Sequence, residues 1–246
     1  AGVVGAIVFG FLISMIHAVV PIRFRADQVV SGVAINILAL GLTGFLLQLI
    51  FNTSGNSPSV PNLAAWPIPV LSSIPILGPI FFNQPPIVYL ALLAVPISSF
   101  VLFKTPLGLR LRSVGEHPKA ADTVGINVFS LRYLGVGLSG VLAGLAGAYL
   151  SIGQLNIFTE GMTNGRGFVA LAVMIFGKWT PFGAWGGALL FGLAIALQTQ
   201  LQFEGWFQIP HQFIGMLPYI LTVVVLAGFV GRTRPPAAIG TPYERD

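Results

Sequence analysis

The sequence predicts an all-α, polytopic integral membrane protein with about seven transmembrane helices in this chain. Three observations carry that prediction. Only 8% of the 246 residues are charged and 55% are hydrophobic. Mean hydropathy is +0.87. Apolar runs of membrane-crossing length recur from the first residue almost to the last. A soluble domain wets its surface with roughly 25% charged residues, and 12 basic plus 7 acidic side chains cannot cover a globule of this size. The 30 Gly and 18 Pro interrupt apolar runs, where membrane helices tolerate them. With no cysteine, disulfides, a thiolate nucleophile and thiolate metal ligation are excluded.

A hydrocarbon core of roughly 30 Å needs about 20 apolar residues per helix. Gly2–Val20 is the first crossing, closed by Pro21, and Gln28–Phe51 is the second. Asn52–Pro86 carries no charge and eight prolines. It is either a loose linker or, given Trp66, Phe81 and Phe82, a segment lying on the membrane surface. Ile87–Phe103 is the third crossing, with a kink expected at Pro96. The charged segment Lys104–Leu131 follows, then Tyr133–Ile152 as the fourth crossing. Gly167–Phe176 is short, a broken or shortened helix. Phe182–Leu201 and Phe213–Val230 are clear crossings, and Arg232–Asp246 is a polar tail.

Lysine and arginine in short loops set orientation. Arg23 and Arg25, the group from Lys104 to Arg132, and Arg232, Arg234 and Arg245 fall on one side if Gly167–Phe176 crosses. Lys178 then joins them, and 11 of 12 cations are cytoplasmic, with Arg166 opposite. This arrangement starts outside, which implies upstream helices before Ala1 if the full protein begins in the cytoplasm. The net charge of +5 thus reads as orientation in a membrane, not as attraction to nucleic acid.

No predicted span carries Asp, Glu, Lys, Arg or His in its interior, which argues against an ion-coupled carrier. His17 and His211 sit near helix ends. Gly140, Gly144 and Ala148 recur at a spacing of four, as do Gly183 and Gly187. Such faces let helix backbones approach closely, within one subunit more often than between two. Among uncharged polar residues in the second span, Ser31 and Asn36 are candidates for a translocation path. The Asn36 amide needs hydrogen bonds in hydrocarbon, and structural glue serves that need as well as a path does.

Thr105–Asn127 is the most informative stretch. Pro118 suits a first helical position, where its missing N–H is no loss. Lys119–Val124 can then make two turns, and Gly125 fits the left-handed residue that ends a helix. Arg110, Arg112, Glu116, Lys119 and Asp122 surround it with charge. So short a helix is marginal alone but makes sense between two membrane helices and pressed into another protein. Chemistry in the chain itself finds no support. Gly177-Lys178 is followed by Trp179, without the spacing or hydroxyl of a phosphate loop. Three isolated histidines offer no metal-ligand spacing, and no Ser occupies a G-x-S-x-G elbow.

GLRLRSVGEHPKAADTVGIN, then LSGVLAGLAGAYLS and GQLNIFTEGMTNGRGFVALAVMIFGKWTPFGAWGGALLFG, resemble the permease subunits of bacterial ABC importers. The branch is that of branched-chain amino acid and ribose-type permeases. RADQVVSGVAINILALGLTGFL and VLSSIPILGPIFFNQPPIVYLALLAVP are similar to its simple-sugar and nucleoside subgroup. The resemblance runs from about Ile22 to Gly231. It implies an ABC importer permease fold, with 1–231 as the transmembrane permease domain and 232–246 as a cytoplasmic tail. Within that domain lie a cytoplasmic coupling loop at 104–131 and a periplasmic Pro-rich segment at 52–86. It further implies that Gly115, Glu116, His117, Pro118, Lys119, Ala120, Ala121, Asp122 and Gly125 dock onto an ABC ATPase subunit.

Other expected partners are a second permease subunit (homologous or identical), an extracytoplasmic substrate-binding lipoprotein touched by Glu160 and Arg166, and membrane lipid. ATP is used by the partner ATPase, and this chain is expected to bind no cofactor or metal and to catalyse nothing. The expected solute is a nucleoside, then a simple sugar, moved across the bacterial plasma (inner) membrane by a multi-pass chain. The alternatives are a branched-chain amino acid permease, a stand-alone carrier or facilitator, an integral-membrane enzyme, and an exporter or structural subunit.

Overall fold

The structure, a computed structural model, describes residues 1–75, 77–204, 216, 220, 224 and 234–244. Helix α1 (Gly2–Arg23) runs three residues beyond the predicted end. Pro21 does not close it, because a proline in the last turn forfeits little of the hydrogen-bond ladder. Helix α2 (Gln28–Phe51) has the predicted bounds. The Asp27 carboxylate accepts hydrogen bonds from the Val29 and Val30 amides at its start, and Asn52 closes it in the left-handed conformation.

The Pro-rich segment between α2 and the next span is tied down rather than loose. Strands β1 (Trp66–Pro67) and β2 (Asn83–Gln84) pair antiparallel. The Tyr89 hydroxyl donates to the Trp66 carbonyl at 2.9 Å. The Ser57, Val60 and Leu63 amides donate to the carbonyls of Phe158, Asn156 and Ile152, each at 2.8 Å. The Pro-rich segment and residues 152–158 therefore form one cap. Its exposed side holds Trp66, Val70, Leu77 and Ile80.

Helix α3 (Pro86–Lys104) passes through Pro96. Two helices occupy the charged segment where one was predicted: α4 (Pro106–Glu116) and α5 (Pro118–Thr123). Helix α6 (Val128–Ala148) starts five residues before the predicted crossing and continues as a wider, π-helical stretch over Tyr149–Leu155. Helix α7 (Arg166–Phe176) has 11 residues, only ~16 Å of helix at ~1.5 Å per residue. A tight turn leads to α8 (Pro181–Glu204). In that turn Lys178 and Trp179 both adopt positive φ, and Gly177 lies against the backbone of Gly183 and Ala184.

Among the described residues, α1, α2, α3, α6 with its extension, and α8 are long and apolar enough to cross a membrane. The predicted crossing at Phe213–Val230 lies outside the described residues.

The α1–α6 pair is the most extensive helix contact. The helices meet through small residues: a side chain on Gly144 would strike the Ala6 carbonyl, and one on Gly140 would strike Ser14. A Cβ on Gly10 would lie 3.0 Å from the Gly144 Cα. The spacing-four motif thus packs helices within the chain, as the more common use of such motifs suggests. Gly187 does the same between α8 and Val173 of α7. By contrast α2 buries only Ser31 and Leu47, leaving Val29, Ile37, Phe45 and Leu49 for lipid or another subunit.

Candidate functional site

Helix α4 begins at Thr105, whose hydroxyl accepts from the Gly108 amide at 3.3 Å. Gly108 is required here because any side chain would meet the Val101 and Leu102 carbonyls at the end of α3. Leu107, Leu111 and Val114 repeat at helical spacing, and Val114 is buried. Arg112 turns back over the Phe103 ring at 5.1 Å, a cation–π contact that ties α4 to the last turn of α3.

The chain reverses at His117, and α5 follows with Pro118 in its first turn. Gly125 sits at φ +82°, and its amide donates to the Asp122 carbonyl at 2.9 Å. Proline at the start and left-handed glycine at the end therefore bracket this helix as the sequence predicts. Ala121 is the inward residue, packed with Val114, Val128 and Tyr243. Lys119, Ala120, Thr123 and Val124 face outward, Val124 at 73% exposure. A two-turn helix that is marginal alone is thus seated on an apolar base with its opposite face exposed.

That base contains a part absent from the sequence reading. The polar tail is not a free end: Tyr243 is 5% exposed, and its ring meets Phe129 with centroids 5.4 Å apart. The Ala238 amide donates to the Gly115 carbonyl at 2.9 Å, and the Ala237 amide reaches Glu116 Oε2 at 3.3 Å. Arg132 donates to the Thr241 carbonyl at 2.9 Å, and Arg25 pairs with Glu244 at 2.5 Å. Part of the Glu116 carboxylate, predicted to face a partner, is thereby engaged inside the chain. The sequence signal was Tyr243, an aromatic among polar neighbours, but nothing local says what buries it.

Ser31 is buried and its hydroxyl lies 3.0 Å from His17 Nδ1, which joins α1 to α2 just inside their turn. Asn36 is exposed on α2. Glu160 and Arg166 form no ion pair with one another. The Glu160 carboxylate instead rests against Gly44 of α2, where an added Cβ would lie 2.8 Å from Oε1. Arg166 is exposed at the start of α7. No group of three or more potential metal ligands exists among the described residues.

A family model described as "Branched-chain amino acid transport system / permease component" matches residues 1–226. The guanosine ABC transporter permease protein NupQ of Bacillus subtilis is 49% identical over 97% of this chain and 75% of its own length. The nucleoside ABC transporter permease protein NupC of Lactococcus lactis is 45% identical over 97% and 75%. The putative glucose ABC transporter permease protein TsgC13 of Haloferax volcanii is 35% identical over 96% and 78%. No solved structure matches the chain. The long apolar helices and a family match that runs through nearly all of them agree: this chain belongs to the branched-chain amino acid transport system permease component family, as a membrane permease subunit and not an enzyme.

Proposed function

We propose that this chain forms half of the translocation path of an ATP-driven nucleoside importer in a bacterial plasma membrane. The observation that carries the mechanism is α5, whose buried Ala121 anchors it while Lys119, Ala120, Thr123 and Val124 stand outward. A separate ABC ATPase grips that face, and closure of the ATPase on ATP moves α4 and α5 together with the start of α6. Nucleotide thereby biases a two-state change in which side of the path is open. Gly115, Glu116, His117, Pro118, Lys119, Ala120, Ala121, Asp122 and Gly125 make up the docking element. A second permease subunit, homologous or identical, covers the exposed apolar face of α2 and supplies the other wall of the path. Asn36 is exposed on α2, while Ser31, near the start of the same helix, is buried against α1 and bonded to His17.

On the outer side, the cap formed by 52–86 and 149–160 receives the substrate-binding lipoprotein, with Glu160 at its inner edge against Gly44 and the exposed Arg166 at the start of α7. Seven crossings complete the domain, α7 with its flanks and residues 213–230 adding to the five long helices. Nucleoside is preferred as solute because the two relatives at 49% and 45% identity carry guanosine and nucleoside in their names. A simple sugar is the second reading, favoured by the putative glucose permease at 35%.

The test is reconstitution of the complete importer in liposomes with labelled guanosine and a glucose competitor. ATP-dependent guanosine uptake is expected. Equal uptake without the ATPase would make the chain a facilitator, and uptake displaced by glucose would give the sugar reading. Reversing charge with Glu116→Lys and Asp122→Lys together should lower solute moved per ATP while the helices still insert. Unchanged coupling in that variant would remove the docking role of these residues.

A further inference from the structure

We propose that the C-terminal tail, residues 234–244, is a transmission strap that carries movement of α5 to the α1–α2 turn. The inference rests on the importer reading above and adds a route that the docking element alone does not provide. Helix α5 packs on α4 and α6. The strap reaches further, and it does so at both ends. At one end the Ala238 amide bonds the Gly115 carbonyl and the Ala237 amide bonds Glu116, at the corner from which α5 springs. At the other, Tyr243 enters the same apolar cluster as Ala121, beside Phe129, and Glu244 pairs with Arg25 between α1 and α2. Between these ends Gly240, at φ +71°, turns the chain against the Gln28 side chain at the start of α2.

The two anchors at the far end differ in character. Tyr243 is an apolar anchor, shielded from water, whereas Arg25 and Glu244 are 50% and 61% exposed. An exposed pair contributes little stability, so its position matters more than its strength: it fixes where the strap ends relative to α2. The middle of the strap, residues 239–242, is exposed and is held to α6 by the hydrogen bond from Arg132 to the Thr241 carbonyl. It forms one wall of a cavity of about 330 Å³, lined also by His17, Gln28, Val114 and Arg132. A strap fixed to the α4–α5 corner, to α6 through Arg132 and to the α1–α2 turn through Arg25, with an open gap beneath it, can pull on that turn when α5 moves. A brace filled by close packing would only stiffen the corner. Tyr243 and Glu244 are therefore positioning residues, acting through α5 and Arg25.

The experiment compares Tyr243→Ala, Tyr243→Phe, Arg25→Glu and the swap Arg25→Glu/Glu244→Arg in the complete reconstituted importer. Guanosine uptake per ATP hydrolysed and ATPase co-purification are both measured. Tyr243→Ala should keep the ATPase bound yet lower uptake per ATP by about fivefold or more, the lower end of usual coupling effects. Tyr243→Phe, which keeps the ring against Phe129, should retain more coupling than Tyr243→Ala. Arg25→Glu should lose coupling and the swap should regain it, which a purely structural role for so exposed a pair does not predict.

Wild-type uptake per ATP in both Tyr243→Ala and Arg25→Glu overturns the strap. So does loss of the ATPase from Tyr243→Ala, because the tail would then be part of the docking surface. If Tyr243→Ala does not reach the membrane, the exposed Arg25 and Glu244 variants decide alone. Failure of the importer reading is distinct: the unmodified complex would then show no ATP-dependent uptake.

Discussion

Gly144 and Gly147 lie three residues apart on α6, yet they have opposite surroundings. A Cβ on Gly144 would strike the Ala6 carbonyl, while one on Gly147 would meet nothing within 4 Å. Backbone cannot give way as a flexible side chain can, so Gly144→Ala must push α1 and α6 apart. Overpacking of this kind costs about 1–3 kcal/mol, whereas Gly147→Ala removes a flexible residue and changes stability by about 1 kcal/mol or less, in the favourable direction. Thermal unfolding of the purified chain in detergent should show a lower midpoint for the first variant and an equal or higher one for the second. Equal shifts would mean that the α1–α6 contact is not the close approach described. Read along the sequence, Gly140, Gly144 and Ala148 announce such a contact. Their counterparts Ala6, Gly10, Ser14 and Ala18 also repeat every four residues, but in an apolar run the alanines and serine do not stand out as a face.

Helix α5 shows how two punctuating residues define an element too short to be stable alone. Gly125 at φ +82° is the sharper of the two, because a side chain there costs about 1–2 kcal/mol in the left-handed region. Gly125→Val should therefore unwind the exit of α5 and weaken coupling of ATP hydrolysis to uptake. Gly125→Asn should retain most of it, since asparagine tolerates this conformation. Uptake per ATP in the reconstituted importer compares them, and identical behaviour of the two variants would remove the left-handed exit from the mechanism.

Elements of this kind were legible because their signals are local: proline, glycine and a short helical run between them. Helix α2 was legible to the residue for a similar reason, with Asp27 at its start and Asn52 at its end. Helix α4 was not, because Leu107, Leu111 and Val114 are diluted by Arg110 and Arg112 in a segment read as merely charged. The tail was not legible because its partners are remote. Arg25 and Glu244 are 219 residues apart in sequence, and no periodicity in either region reports the other.

At the scale of the molecule, the contacts of the tail bear on how many times the chain crosses. Tyr243 shares a cluster with Val128 at the start of α6, so the tail and the α4–α5 loop occupy the same side of the membrane. Helix α6 leaves that side, and an odd number of crossings must follow it for the tail to return. Helix α8 is one, and residues 213–230 would be a second. If residues 213–230 do cross, the third falls to α7, whose ~16 Å is about half of a hydrocarbon core of roughly 30 Å. The rest of the depth must then come from its flanks, 161–165 and 177–180. Irregular backbone at membrane depth is stable only where protein or a water-filled cavity surrounds it, which is what a translocation path provides.

The chain has no cysteine to remove, so single substitutions can be labelled directly with a membrane-impermeant maleimide. Val70→Cys on the outer cap and Val124→Cys on α5, at 83% and 73% exposure, set the two reference sides. Arg166→Cys should label with Val70→Cys from outside the cell. Lys178→Cys should label with Val124→Cys, only in inverted vesicles. If Arg166→Cys and Lys178→Cys react from the same side, α7 turns back without crossing. Residues 213–230 could then not cross either, because a second crossing after α6 would carry Tyr243 away from the cluster that buries it.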